Sequence, residues 1–192
     1  MFSNASLYRF ALLVFAALAI TPVAVAQSAT AEIDFAVGYG TNAQHSVQGS
    51  SFWQKGGFAE LSVAARRGLG IAALVKGGAA TNVNNSGVNI DTVTTVFGPR
   101  YTLHRRRLTV FGEGLIGESN GFNGVYPSSQ GALSSTNSFA SLLQGGIDVA
   151  FDRHLAIRVV QAGWQRTQFP NAGTNVQNTL TLGAGICFRS RR

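Results

Sequence analysis

Apolar side chains recur at every second position through most of the chain, the period of a β-strand rather than of a helix. In AEIDFAVGYG, from Ala31 to Gly40, Ile33, Phe35, Val37 and Tyr39 share one face. Glu32, Asp34, Ala36 and Gly38 take the other. Seven more segments repeat the device. The second, about Gly57 to Arg66, sets Ala59, Leu61, Val63 and Ala65 against Glu60 and Ser62. The third, about Leu69 to Ala79, sets Leu69, Ile71, Ala73 and Val75 against Lys76, and the fourth, about Ile90 to His104, opposes Val93, Phe97, Tyr101 and Leu103 to Thr92, Thr94 and Arg100. The fifth starts near Leu108 with Val110 and Ile116 opposite Glu113, although Phe111 and Leu115 blur its alternation. The sixth ends at Phe151 with Leu143, Ile147 and Val149 opposite Gln144 and Asp148. The seventh starts at His154 and sets Leu155, Ile157 and Val159 against Arg158. The eighth, TLTLGAGICF, carries Leu180, Leu182, Ala184, Ile186 and Phe188 on one face. Segments of about ten residues are long enough to cross a bilayer as tilted strands.

The connections alternate in length. Arg66-Arg67-Gly68, Arg105-Arg106-Arg107 and Asp152-Arg153-His154 read as tight turns. Thr41 to Gln54, Ala80 to Asn89, Asn120 to Ser138 and Gln168 to Asn175 read as longer loops, and Asn, Ser, Gly and Gln dominate them. Short turns at one end and long loops at the other describe an up-and-down antiparallel meander. An even strand count returns both termini to the short-turn end.

The beginning of the chain differs. Ala11 to Ile20 is an unbroken apolar run, followed by Thr21-Pro22 and by Ala24 and Ala26 in the small-residue positions of a cleavage site. This layout predicts a secretory signal peptide over residues 1–26 and a mature domain over 27–192. The run is too short for a membrane-spanning helix. The lone cysteine, Cys187, excludes an intramolecular disulfide. Charged residues make up 12% of the chain, about half the usual share of a soluble domain.

Charge placement then decides between two kinds of barrel. A soluble barrel keeps apolar residues inside, whereas here the glycine-rich faces hold single charged groups and the opposite faces are Leu, Ile, Val and Phe. That pattern predicts an eight-stranded transmembrane β-barrel with a lipid-facing apolar surface and a polar lumen. Glu60 and Lys76 are symmetric about Gly68, Asp148 and Arg158 about Arg153, and Arg100 and Glu113 nearly so about the second turn. Positions equidistant from a hairpin turn face each other across the strands. With Asp34 at a similar height, these seven side chains are expected to form an ion-pair layer that plugs the lumen, because buried charge persists when paired. Arg66, Arg67, Arg105, Arg106, Arg107 and Arg153 lie in the turns, and Arg189, Arg191 and Arg192 in the tail, so all are expected on one basic rim suited to anionic headgroups. Nucleic acid is not the expected partner of an exported chain with its cations on a rim.

With these features the chain resembles the small bacterial outer-membrane β-barrels of the OmpA type. The resemblance implies location in the cell outer membrane and contact with its lipids. It also implies recognition by the barrel-assembly machinery through a C-terminal signal, matched by Thr181, Gly183, Ile186 and Phe188. Many members end on the aromatic residue, whereas here Arg189 to Arg192 follow. The motifs are architectural. A structural or surface-interaction role through the uncharged loops is the first expectation, a narrow pore the second, and a lipid-modifying enzyme the third. His45, His104 and His154 form no recognisable set with a serine and an acid, and no cofactor or metal motif is present.

Overall fold

The computed structural model describes residues 32–45, 51–64, 68–128, 131–170 and 175–190. The expected signal peptide, the turn arginines Arg66 and Arg67, and the terminal Arg191 and Arg192 lie outside these residues. Eight strands run in sequence: β1 Glu32–His45, β2 Ser51–Ala64, β3 Leu69–Ala80, β4 Ile90–Arg105, β5 Leu108–Ser128, β6 Gly131–Ala150, β7 Leu155–Thr167 and β8 Gln177–Ser190. Each pairs antiparallel with its sequence neighbours, and β1 pairs with β8 to close the barrel. Closure leaves no open edge within the apolar band, where unpaired backbone groups would cost several kcal/mol each.

The alternation read from the sequence is the inside-outside partition of this barrel. Tyr39, Ile71, Phe97, Leu143, Ile157 and Phe188 face outward and are exposed. Asp34, Glu60, Arg100, Glu113, Asp148 and Arg158 face inward and are buried. Phe111 and Leu115, which blur the pattern of β5, also point inward with Glu113. The interior is therefore not uniformly polar, as the sequence led us to expect. Ala72, Leu74, Val96, Leu115, Ala140 and Leu142 form a compact apolar cluster inside the lumen, with Phe58 packed against it. An eight-stranded barrel is just wide enough for side chains to fill, and this part of its interior packs like a soluble core.

Two strand pairs are longer than their hydrophobic pattern. β1 and β2 extend to His45 and from Ser51, so Phe52, Trp53 and Gln54 belong to a strand rather than a loop. Most of the expected loop from Asn120 to Ser138 is likewise paired, with Ser128 opposite Gly131 and a bulge between Phe122 and Tyr126. Beyond the hydrocarbon the outward face no longer needs apolar residues. The alternation of polarity fades there while backbone pairing continues.

β7 contains a further irregularity. Asp148 pairs with Arg158 but Ile147 pairs with Val160, so Val159 is an extra residue. Arg158 and Gln161 both face inward, while Val159 and Val160 both face outward. Without this bulge the long side chains beyond it would turn toward lipid.

At the short-turn end Arg105, Arg106, Arg107 and Arg153 are exposed. Arg106 adopts a left-handed φ of 51° in the two-residue turn between β4 and β5. In the β6–β7 turn, Asp152 Oδ1 accepts the backbone N–H groups of His154 at 2.6 Å and Leu155 at 2.7 Å. These bonds hold the Asp152 carboxyl below its ordinary pKa. A depressed carboxyl stabilises the turn above its unfolded-state pKa, and that contribution is lost as pH falls through the lower folded value. Amide exchange at His154 and Leu155 should therefore accelerate, relative to other turn amides, when the pH is taken below the Asp152 pKa. Asp152→Ala should abolish that pH dependence.

Candidate functional site

The inward faces of β1, β2, β4, β5, β6, β7 and β8 meet in one layer of charge. Arg158 lies at its centre. Its Nε donates to Asp148 Oδ1 at 2.9 Å, across the β6–β7 pair, and its Nη1 donates to Glu60 Oε1 at 2.9 Å, across the barrel. Glu60 Oε1 also accepts from Arg100 Nη1 at 2.5 Å, and Arg100 Nη1 reaches Glu113 Oε2 at 3.1 Å. Gln144 donates to Glu60 Oε2 at 3.3 Å and to Glu113 Oε1. On the other side, Arg189 Nη2 donates to Asp148 Oδ2 at 3.2 Å, and its Nε lies 3.7 Å from Asp34 Oδ2. Thr109 and Gln161 accept one further bond each, from Arg189 and Arg158.

The result is one connected chain, Asp34–Arg189–Asp148–Arg158–Glu60–Arg100–Glu113. It joins four carboxylates through three guanidiniums. Arginine suits these positions because its planar fork donates in several directions at once. Below the fork lies Phe111, whose ring is 3.8 Å from the Arg100 guanidinium carbon and 4.3 Å from that of Arg158. One aromatic face thus carries two cations, a cation–π contact strengthened by desolvation.

Two of the hairpin pairs expected from sequence symmetry are present: Arg158 with Asp148, and Arg100 with Glu113. The third is not. Phe58 faces Lys76, and Glu60 faces Leu74, because the β2–β3 hairpin is centred on Arg67 rather than on Gly68. Gly68, at a φ of 80°, lies beside the centre and not on it. Lys76 Nζ instead donates to Asn42 Oδ1 at 3.3 Å, nearer the long-loop end. Glu60 is released to join two arginines from other hairpins. Arg189, expected on the rim with the tail, is the remaining correction. β8 continues to Ser190, which points Arg189 into the lumen, where it is buried. Sequence reasoning missed Phe111 as part of the layer, although its inward parity with Glu113 is the signal that could have found it.

Above the charged layer, amides and hydroxyls line the lumen together with Lys76, Phe58 and Leu74. A cavity of about 30 Å³ beside Asn42, Lys76, Gln144, Gln161 and Thr181 holds roughly two waters. A second, of about 10 Å³, lies among Gln44, Gln54, Lys76, Gln165 and Phe169. Phe169, in the β7–β8 connection, packs on Tyr126 of β5 with ring centroids 5.8 Å apart. Gln177 fixes its backbone by accepting from the Phe169 N–H and donating to the Phe169 carbonyl, both at 2.8 Å.

The residues expected to form an assembly signal keep the alternation of β8. Thr181 is buried, while Ile186 and Phe188 are exposed on the outer face. At the long-loop end, β5 pairs with β4 only as far as Phe122, and β6 with β7 only from Ala140. Residues 123–128 and 131–135 therefore extend as a two-stranded ribbon beyond both neighbouring strands. Val125 and Leu133 are exposed on it, and Tyr126, two residues before its closing pair Ser128–Gly131, is held against Phe169.

No protein-family model matches the chain, and no curated protein matches it. Solved structures do. The attachment invasion locus protein Ail of Yersinia pestis, crystallised with the heparin analogue sucrose octasulfate, superposes with a TM-score of 0.56 at 12% identity over 83% of this chain and 99% of that one. Neisserial surface protein A gives 0.56 at 13% identity over 81% and 96%. The outer-membrane protein OprG of Pseudomonas aeruginosa gives 0.52 at 8% identity over 85% and 98%. The chain has the fold of small bacterial outer-membrane barrels.

Proposed function

We infer that the protein is a non-enzymatic outer-membrane barrel whose task is to present the β5–β6 ribbon outside the membrane. The carrying observation is the ribbon itself: a paired extension pinned by Tyr126 against Phe169 of the β7–β8 connection. A pinned ribbon pays less ordering entropy on binding than a free loop would. Beyond Phe122 it carries no charged side chain, so its partner is held by backbone hydrogen bonds and apolar contact. Among the described residues no strand pairs with the outer edge of β6 over residues 132–137, which leaves that edge open to such pairing. A polyanion like the one bound to Ail is not the ligand this ribbon suits. The lumen supports the reading from the other side, because its charged layer and small cavities leave little room for a solute.

The test compares the parent with a variant in which residues 123–136 are replaced by a short turn, both in nanodiscs. Binding to a panel of envelope lipids, glycans and host-surface proteins should be lost in the variant, while its gel mobility still shifts on boiling as a closed barrel's does. Equal binding by both proteins would end the ribbon reading. Regular conductance steps from the parent in a planar bilayer would favour the narrow pore instead.

A further inference from the structure

One inward cation stands apart from the charged layer. Lys76 shares the inward parity of Ala72 and Leu74 on β3. Its register neighbours, Phe58 on β2 and Thr94 on β4, are uncharged. The nearest carboxylate by register is Glu60, opposite Leu74, and Arg100 and Arg158 already hold it. Among the described residues no carboxylate pairs with Lys76. Its ammonium carries three donors, and Asn42 Oδ1 takes one of them at 3.3 Å.

The remaining donors have space beside them. Gly183 of β8, Gly40 of β1 and Gly56 of β2 lie side by side in one register row. With no side chains in that row, a cavity of about 30 Å³ opens against Lys76. Phe58 and Leu74 wall it, and Gln161 lines it from β7. The Gln161 side-chain carbonyl accepts from Arg158, which leaves its NH2 group as a second donor. The smaller cavity, which Lys76 also lines, has a different character. Gln54 Oε1 there already accepts from Gln44 and Thr92, and Gln165 Oε1 is buried with no partner. That wall is rich in acceptors and suits water rather than an anion.

We propose that Lys76 and Gln161 bind a small monovalent anion, of halide size, in the larger cavity. An enclosed cation with no carboxylate in contact is stabilised by an anion that comes to it. One lysine matches one negative charge, whereas a dianion would bring a second charge into the lumen without a partner. Space for roughly two waters admits chloride and excludes gluconate. The charged layer fills the lumen on the short-turn side, so the ion exchanges from the long-loop end. That layer holds one carboxylate more than it has guanidiniums. If this surplus alone balances Lys76, from a distance, stability is indifferent to the anion in solution.

The test unfolds the barrel with urea in detergent while chloride replaces gluconate at constant ionic strength, with gel mobility as the readout. The unfolding constant of the parent should fall about tenfold, as for a ligand present at about ten times its Kd. Lys76→Met should lose this response and differ from the parent more in chloride than in gluconate. Lys55→Met, which removes an exposed cation on the outer face, should keep the response in full. In crystals of the parent soaked in bromide, an anomalous peak should lie in contact with Lys76 Nζ. An equal chloride response in Lys76→Met would overturn the site. So would a parent indifferent to chloride, since a bromide peak would then mean binding at crystal concentration only. The two measurements on the parent decide the matter even if Lys76→Met does not fold.

Discussion

Arg158→Ala should destabilise the barrel by about 3–5 kcal/mol, the cost of breaking a fully buried pair. The guanidinium is fully enclosed and serves Asp148 and Glu60 together. Its removal leaves Asp148 with Arg189 alone and Glu60 with Arg100 and Gln144, and Asp148 Oδ1 loses the bond given by Arg158 Nε. Combined with Asp148→Ala, the loss should be smaller than the sum of the two single losses, because the second change removes a carboxylate already stranded. Urea unfolding in detergent, read by gel mobility, measures all three variants. Glu60 supplies the contrasting cycle. Glu60→Ala should couple to Arg158→Ala and to Arg100→Ala, yet add simply to Lys76→Met, since no contact joins Glu60 to Lys76. Lys76→Met alone should cost about 1 kcal/mol, the worth of its bond to Asn42. Additivity of Arg158 with Asp148 would mean that the layer is solvated rather than closed.

The contrast between Glu60 and Lys76 also shows how far the sequence could be read. Period two decides which side chains face lipid, and a membrane enforces that choice at every position, so the strands and their faces were legible. Register within a hairpin is a weaker signal. A hairpin centred on Arg67 and one centred on Gly68 put the same residues inside, so hydrophobic patterning cannot distinguish them. Asp148–Arg158 was legible because the β6–β7 turn is short and fixed by Asp152. Contacts across the lumen, such as Arg158 with Glu60, depend on barrel closure and have no local sequence signature. The long β5–β6 ribbon was hidden for a different reason. Outside the bilayer both faces meet water, and polarity no longer reports strand parity.

The charged layer and the ribbon divide the molecule's work. The layer ties seven of the eight strands together where a wider barrel would hold water, and it substitutes for the disulfides this chain lacks. Tyr126, packed on Phe169, ties the ribbon to the β7–β8 connection. On the proposed reading, the lumen is a scaffold for a surface element rather than a route through the membrane.

Phe111→Ala is the second large effect expected. The ring is 3% exposed, lies beneath both Arg100 and Arg158, and walls the layer off from the β5–β6 backbone. Truncating a buried Phe costs about 3–5 kcal/mol through lost burial and the cavity left behind. Phe111→Leu separates the two contributions of the ring. Leucine keeps most of the apolar volume but has no π-face, so its cost reports the two cation–π contacts, about 1–3 kcal/mol together. That cost should shrink when Arg100→Lys and Arg158→Lys are introduced first, because an ammonium cannot stack flat on a ring as guanidinium does. If Phe111→Leu costs the same in both backgrounds, the ring acts only as filler. The layer would then owe its placement to the ion pairs alone.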